Sequence, residues 1–317
     1  MKVTIVHDDV HARADAPEDE RGVLEAVDAV RTALCEDHQV ETLPIGRSVG
    51  WIAQLERMRP DVVFNLCEGV AGSSAGEVHV AGVLSLLRLP MTGSGADALA
   101  LARRKDRVNA VLTAAGLDVP AWAVANGRHP DWHAFPAIVK PVSEDASVGI
   151  RQRSIVRDAV SLRAALERGP PDSARLIQSF IDGREFNVAF VGATALPIAE
   201  IDFSAMPEGM WPIVSYDAKW SAGSTEDQGT RPVCPAPIDA VLAGQLLEVG
   251  RRAWSLVDDR GYARIDLRLA DNGRICVLDV NPNPDLAPAA GLARAAAAGG
   301  WRYAELVRRI LDDAAIP

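Results

Sequence analysis

Cysteine is scarce in this 317-residue chain, and Cys35, Cys67, Cys234 and Cys276 form no CxxC pair. That spacing argues against a zinc site or a disulfide framework. Cys67 and Cys276 fall in strand-like contexts and are expected as buried free thiols. No apolar run is long enough to span a bilayer, and the one at the N-terminus is too short for a secretory signal. A cytoplasmic protein without a membrane partner is expected. Basic residues are in the minority, 33 against 43 acidic, for a net charge of −10, which speaks against a nucleic-acid partner while leaving room for a local basic pocket. No GxGxxG follows the first strand, which argues against a dinucleotide fold. Repeats and low-complexity linkers are absent as well.

The length calls for two or three subdomains. Residues 2–6, 39–43 and 61–66 read as strands and alternate with helical patterns near 23–34, 52–58 and 78–87. A small parallel α/β layer is therefore predicted for the first ~90 residues. A single helix is predicted over 98–115. Farther on, residues 135–140 form a strand ending in Lys140 before a small-residue loop, and 159–167 a helix. Residues 175–181 and 185–191 read as a hairpin turning at Asp182-Gly183. Residues 206–228 are irregular, and Asp239 is placed to cap a helix running to 259.

The most informative stretch is 262–284. Asn272-Gly273 between two alternating runs predicts a two-residue hairpin turn. That register sets Asp271 opposite Arg274, Leu269 opposite Cys276, Leu267 opposite Leu278 and Ile265 opposite Val280. On the other face Asp266 meets Asp279 and Arg264 meets Asn281. Opposed like charges destabilise a sheet, by about 1 kcal/mol in water and about 4 kcal/mol near a protein surface. Either Arg264 and Arg268 neutralise a solvated polar face, or a cation sits between the acids. The second strand is otherwise apolar, which favours a cation. Oxygen-only ligands suit a hard ion such as Mg²⁺.

Taken in order, Met91-Thr-Gly-Ser-Gly95, Lys105, Ala114-Ala-Gly-Leu-Asp-Val-Pro-Ala-Trp122, Ile138-Val-Lys-Pro141, Ser147-Val-Gly149, Ile181-Asp-Gly-Arg-Glu185, Tyr216-Asp-Ala-Lys219, Cys234-Pro-Ala236, Arg264-Ile-Asp266 and Asp279-Val-Asn281 resemble the ATP-grasp superfamily, and within it the D-alanine–D-alanine ligases. The resemblance covers nearly the whole chain. It implies an ATP-grasp α/β (α+β) fold behind the N-terminal layer, with subdomains at 1–93, 94–182 and 183–317, and a homodimer.

It further implies ATP and two Mg²⁺ ions as cofactors. Lys105, Lys140 and Lys219 would contact phosphates, and the 143–149 loop with Ser147 would close over them. Gln178, Ser179, Phe180 and Ile181 would line the adenine pocket, and Glu185 would bind ribose. Asp266, Asp279 and Asn281 would hold the metals. The implied chemistry joins a small-molecule carboxylate to an amine through an acyl phosphate, with Arg264 stabilising the tetrahedral oxyanion.

Departures concentrate at the amino-acid end. His7-Asp-Asp-Val and Pro17-Glu-Asp-Glu20 replace the family's paired glycines and ammonium-binding glutamate, with Glu20 the candidate for that ammonium, and Glu68-Gly69 replaces a His-Gly. Ala146 replaces a loop serine and Trp220 a tyrosine. Pro288-Ala-Ala-Gly291 lacks the serine that takes the incoming carboxylate, and Asp279 stands where glutamate is usual. Glu20, Trp220 and Asp285 are the candidate substrate contacts. The sequence thus points to an ATP-dependent carboxylate–amine ligase with an acceptor other than D-alanine. The alternatives are a genuine D-alanine–D-alanine ligase, a kinase-like or acyl-phosphate-forming enzyme of the same fold, and a catalytically silent nucleotide-binding module.

Overall fold

Strand β1, Lys2–Asp8, carries six buried residues in succession, the run expected of a strand covered on both faces. In the computed structural model, which describes residues 1–10, 21–126, 130–168 and 173–315, it is the centre of a parallel sheet. Helix α1 (Val23–Leu34), β2 (Gln39–Ile45), α2 (Gly50–Met58) and β3 (Val62–Leu66) complete that layer in the order β2-β1-β3. Helices α3 (Gly76–Leu86), α4 (Ala96–Ala102) and α5 (Lys105–Ala114) follow. The single helix expected over 98–115 is therefore broken at Arg103-Arg104. Arg104 leaves the helical region at φ −104° and ψ 82°, and the Lys105 N–H donates to Val142 O at 3.1 Å. A tertiary hydrogen bond overrides local propensity here and sets Lys105 at the start of α5.

An antiparallel four-stranded sheet comes next, from β4 (Trp122–Ala125), β5 (Ala137–Pro141), β6 (Ile155–Val156) and β7 (Arg175–Ser179), ordered β4-β7-β5-β6, with α6 (Ala159–Glu167) beside it. Asp158 caps α6 by accepting from Ser161 N–H at 2.7 Å.

The third sheet contains β8 (Gly183–Val191), β9 (Thr194–Ala195) and β10 (Ala199–Asp202). After short helices α7 (Tyr216–Trp220) and α8 (Thr225–Gln228) come β11 (Arg231–Val233), α9 (Ala240–Ser255), β12 (Tyr262–Ala270) and β13 (Ile275–Pro282), and then α10 (Gly291–Ala298) and α11 (Tyr303–Asp312). Its order is β11-β10-β8-β12-β13, with β9 on β8. The expected hairpin at Asp182-Gly183 is thus corrected. β7 pairs with β4 and β5, whereas β8 pairs with β12, setting Phe186 beside Leu267 and Val188 beside Ile265 in a shared apolar core. The chain crosses between sheets at Gly183, whose φ is 132° and where an added Cβ would collide with Leu269 O, so no side chain is admitted.

The long hairpin also differs from expectation. Its loop has three residues, Asp271–Gly273, with Ala270 N–H donating to Arg274 O at 2.9 Å and Gly273 at φ +81°. Leu267 pairs with Val277, Arg268 with Cys276 and Leu269 with Ile275. A register shift beyond Asp266 leaves Leu278 outside the pairing and restores Asp266 opposite Asp279.

Leu306, Val307 and Ile310 of α11 share a core with Val27, Val30 and Leu34 of α1. Met91 bridges both Val63 and Ala315, so the chain's end is laid against the first layer. Asp239 caps α9 through Leu242 N–H at 2.8 Å, and the helix ends at Ser255 rather than 259. Cys67 and Cys276 are buried free thiols. No helix among the described residues is long and apolar enough to cross a membrane.

Candidate functional site

The polar face of β12 and β13 gathers the predicted metal residues. Asp266 lies directly opposite Asp279, and Arg264 opposite Asn281. Arg264 holds Asp266 with a two-point fork, Nε to Oδ1 at 2.7 Å and Nη2 to Oδ2 at 2.9 Å. Asn281 Nδ2 reaches Asp266 Oδ2 at 3.1 Å. Asn187, which sequence reasoning missed, donates to Asp266 Oδ1 at 2.8 Å from the adjacent strand. It stands two residues from Glu185 on one face of β8, so the strand's period of two was the signal for it.

Lys105 bridges to the other acid. Its Nζ lies 3.1 Å from Asp279 Oδ2 and also bonds Asp145. Burial works against the Lys105 charge, but Asp145 and Asp279 overcome it and hold the ammonium above its ordinary value. For Asp279, burial favours the neutral acid, yet Lys105, Lys140 and Arg264 keep its carboxyl below the usual range. Burial lowers Lys140, with Asp279 opposing. Burial and the Arg264 charge lower Lys219, against Asp285, Glu68 and Asp266. Acids and bases thus alternate through one buried network.

The loop following Lys140 is drawn over this network. Ala146 and Ser147 adopt φ of 53° and 62°. Ser147 Oγ–H donates to Val214 O at 2.9 Å, and Trp220 Nε1–H to Ala146 O at 2.9 Å. Trp220, a candidate substrate contact, therefore has its indole N–H engaged in the loop, while Lys219 Nζ lies 5.0 Å from its ring centre. Arg151 ties the same segment to Asp217 at 2.6 Å.

The predicted adenine and ribose residues lie where the chain passes between sheets. Gln178 is buried, and its Nε2 has no hydrogen-bond partner among the described residues. Ser179 and Phe180 donate their backbone N–H to Ala121 O and Pro136 O, both at 2.8 Å. Ile181 O accepts from Arg268 at 2.9 Å, and Glu185 is held by Arg268 Nη2 at 2.5 Å. Arg268, expected at most to neutralise the hairpin acids, instead fixes this crossing.

Asp285 begins the turn after β13 and accepts from Ala287 N–H at 2.8 Å. Its charge acts on Lys219. A cavity lined by Asn65, Glu68, Glu77, Tyr262 and Asn283 lies between the first layer and this turn. Glu20 lies outside the described residues.

The donor set suits a hard divalent ion, with two opposed carboxylates and the Asn281 amide oxygen on one polar face. In the protein alone their charge is balanced by Arg264 and Lys105. The Gln178 Nε2, unpartnered among the described residues and buried beside the sheet crossing, fits a polar heterocycle.

A family model described as "D-ala D-ala ligase C-terminus" matches residues 118–312. The D-alanine–D-alanine ligase of Chromohalobacter salexigens is 34% identical over 271 residues, covering 83% of this chain and 80% of the relative. That of Methylobacterium radiotolerans is 32% identical over 291 residues, 89% of each. A solved D-alanine–D-alanine ligase from Bacillus anthracis, complexed with ATP, superposes with a TM-score of 0.77 at 20% identity over 99% of this chain and 97% of its own.

Proposed function

Because the chain belongs to the D-alanine–D-alanine ligase family, and is an ATP-dependent carbon–nitrogen ligase of that type, we propose that it joins two D-alanine molecules through an acyl phosphate. One observation carries this reading. The opposed Asp266 and Asp279 are bonded to different cations, Arg264 and Lys105, and the charges of Lys219 and Lys140 act on the same pair. A phosphate-handling end and an acyl-handling end thus meet at one hairpin.

ATP is the co-substrate. The residues proposed to grip it are Gln178 to Ile181 at the base, Glu185 at the ribose, and Lys105, Lys140, Ser147 and Lys219 along the phosphates. Mg²⁺ would be held by Asp266, Asp279 and Asn281, where it supplies neutralisation of phosphoryl charge. A donor carboxylate oxygen attacks the γ-phosphorus, and the bond to ADP breaks. The acceptor nitrogen then attacks the acyl carbon, loses a proton and expels phosphate. Buried lysines stabilise the charge that moves onto oxygen. Arg264 uses Nε and Nη2 on Asp266, so its Nη1, unpartnered among the described residues, is the donor proposed for the tetrahedral oxyanion. The tied-down loop keeps water from the acyl phosphate.

D-alanine here replaces the sequence-based expectation of another acceptor. The curated relatives are named for D-alanine, and Trp220, one reason for expecting a different acceptor, is engaged with Ala146. The second reading keeps one observation in its favour, the negative Asp285 near Lys219 at the acceptor end. The divisions at residues 93 and 182, the homodimer and a cytoplasmic location belong to the same proposal. An ADP-release screen of amino acids and amines, in pairs and with mass spectrometry of the products, tests it. D-alanine with itself is expected to be the best pair, and a clear preference for another amine would favour the second reading.

A further inference from the structure

Helix α10 opens without a side-chain cap, because its N-cap is Ala290. Arg294 lies four residues on, on the same helical face. Its backbone N–H makes the opening bond to Ala290 O at 3.0 Å. The side chain runs back toward the helix start, as helical geometry directs. Its Nη1 donates to Ala289 O, and its Nη2 lies 3.8 Å from where a Cβ on Gly291 would stand. The guanidinium is therefore folded over the 288–291 turn, the one that has no hydroxyl group.

A guanidinium offers five N–H donors, and among the described residues Ala289 O is the one acceptor that this one meets. Among the described residues no carboxylate is within ion-pairing distance of it. Arg294 is an exposed residue, yet desolvation at the turn and then the Arg264 charge lower its affinity for the proton, with Cys234 and Asp285 opposing. Arg264 also acts on Lys219. The Arg264 charge is thus felt by both Lys219 and Arg294, and among the described residues only Arg264 of the three has an acid bonded to it. Such an arrangement favours an anion, and a planar fork favours a carboxylate.

Direction along the hairpin tells which carboxylate. Asp279 meets Lys105 at the phosphate end, Asn281 faces Arg264, and the chain then turns through Asp285 to Arg294. A donor carboxylate must sit beside the phosphate. The carboxylate at the far end belongs to the partner whose amine attacks between them.

We propose that Arg294 binds the carboxylate of the acceptor amino acid, replacing the hydroxyl missing from the 288–291 turn. This assignment rests on the ligase reading above. It also accounts for a D-alanine ligase that lacks that hydroxyl.

The test pairs a substrate deletion with a residue deletion. Acceptor kinetics are measured with D-alanine and with D-alaninamide, which has no carboxylate, for the parent, Arg294→Ala and Arg294→Lys, alongside the KM for ATP. Arg294→Ala should lower kcat/KM for acceptor D-alanine about a hundredfold, mostly through KM, the loss expected for charge-assisted hydrogen bonds. D-alaninamide turnover and the KM for ATP should stay within about threefold, and Arg294→Lys, which retains charge and a donor, should recover part of the loss. An equal loss with both acceptors, or none with D-alanine, would overturn the assignment while leaving the ligase intact. A parent protein that makes no dipeptide would instead overturn the D-alanine reading, and the assignment with it.

Discussion

Asp266 and Asp279 face each other across β12 and β13, and each is held by a different cation of the chain, Arg264 and Lys105. The acids are therefore balanced before any ligand arrives. Exchanging Asp266 for Asn keeps its shape but removes one ionic ligand and the partner of Arg264. Turnover should fall about a hundredfold or more. ADP release by the variant checks this, beside calorimetric titration of ATP with and without Mg²⁺. Undiminished turnover would remove the metal assignment.

Asn187 orients Asp266 without being placed on a metal. Outer partners of this kind are typically worth 10–100-fold in metal affinity. Asn187→Ala should raise the Mg²⁺ concentration for half-maximal activity by about tenfold or more, while kcat at saturating Mg²⁺ changes much less. An unchanged Mg²⁺ dependence would show that Asn187 does not support the site.

Much of this site was legible in the sequence, in one case through two offsets that cancel. The two-residue turn read from Asn272-Gly273 is one residue too short, and the irregularity at Leu278 shifts the register back, so Asp266 does meet Asp279. Turn chemistry gave the hairpin, but an alternating pattern carries no mark of a bulge. The period of two puts Asn187 on the Glu185 face of β8, but its partner Asp266 is set by the pairing of β8 with β12, which local pattern does not show. The break before Lys105 and the separation of β7 from β8 arise from partners far along the chain, Val142 and β12. Local periodicity has no access to those.

Trp220 connects loop closure to coupling. Its N–H bond to Ala146 O is worth about 0.5–1.5 kcal/mol. In Trp220→Phe that bond is lost and the aromatic packing largely kept, so the loop should open several-fold more often and admit water. The ratio of ADP to ligated product should rise above that of the parent. An unchanged ratio would contradict the closing role.

Glu77 gives a pH signature away from the hairpin. Burial, and then Asp145, push its carboxyl up to about 8, against the pull of Arg103 at 3.6 Å. The unfolded chain releases this proton near the ordinary 4.5, so the folded form binds more protons between those values. Stability contributed by the neutral acid is complete below about pH 4.5 and is lost as pH rises through about 8. Glu77→Gln should therefore stabilise the protein above about pH 8, on the order of 1–3 kcal/mol after allowing for solvent screening, and leave it unchanged below about pH 4.5. Thermal unfolding of both proteins across that range decides it. A difference independent of pH would contradict the burial argument.

The central claim, ligation driven by ATP at the Asp266–Asp279 hairpin, is tested most directly by following products with D-alanine as the sole amino acid, beside ATP and Mg²⁺. ADP and phosphate are measured by enzymatic coupling and the dipeptide by mass spectrometry. ADP, phosphate and D-alanyl-D-alanine should form in equal amounts. ADP release without dipeptide, or no ADP release at all, would contradict it.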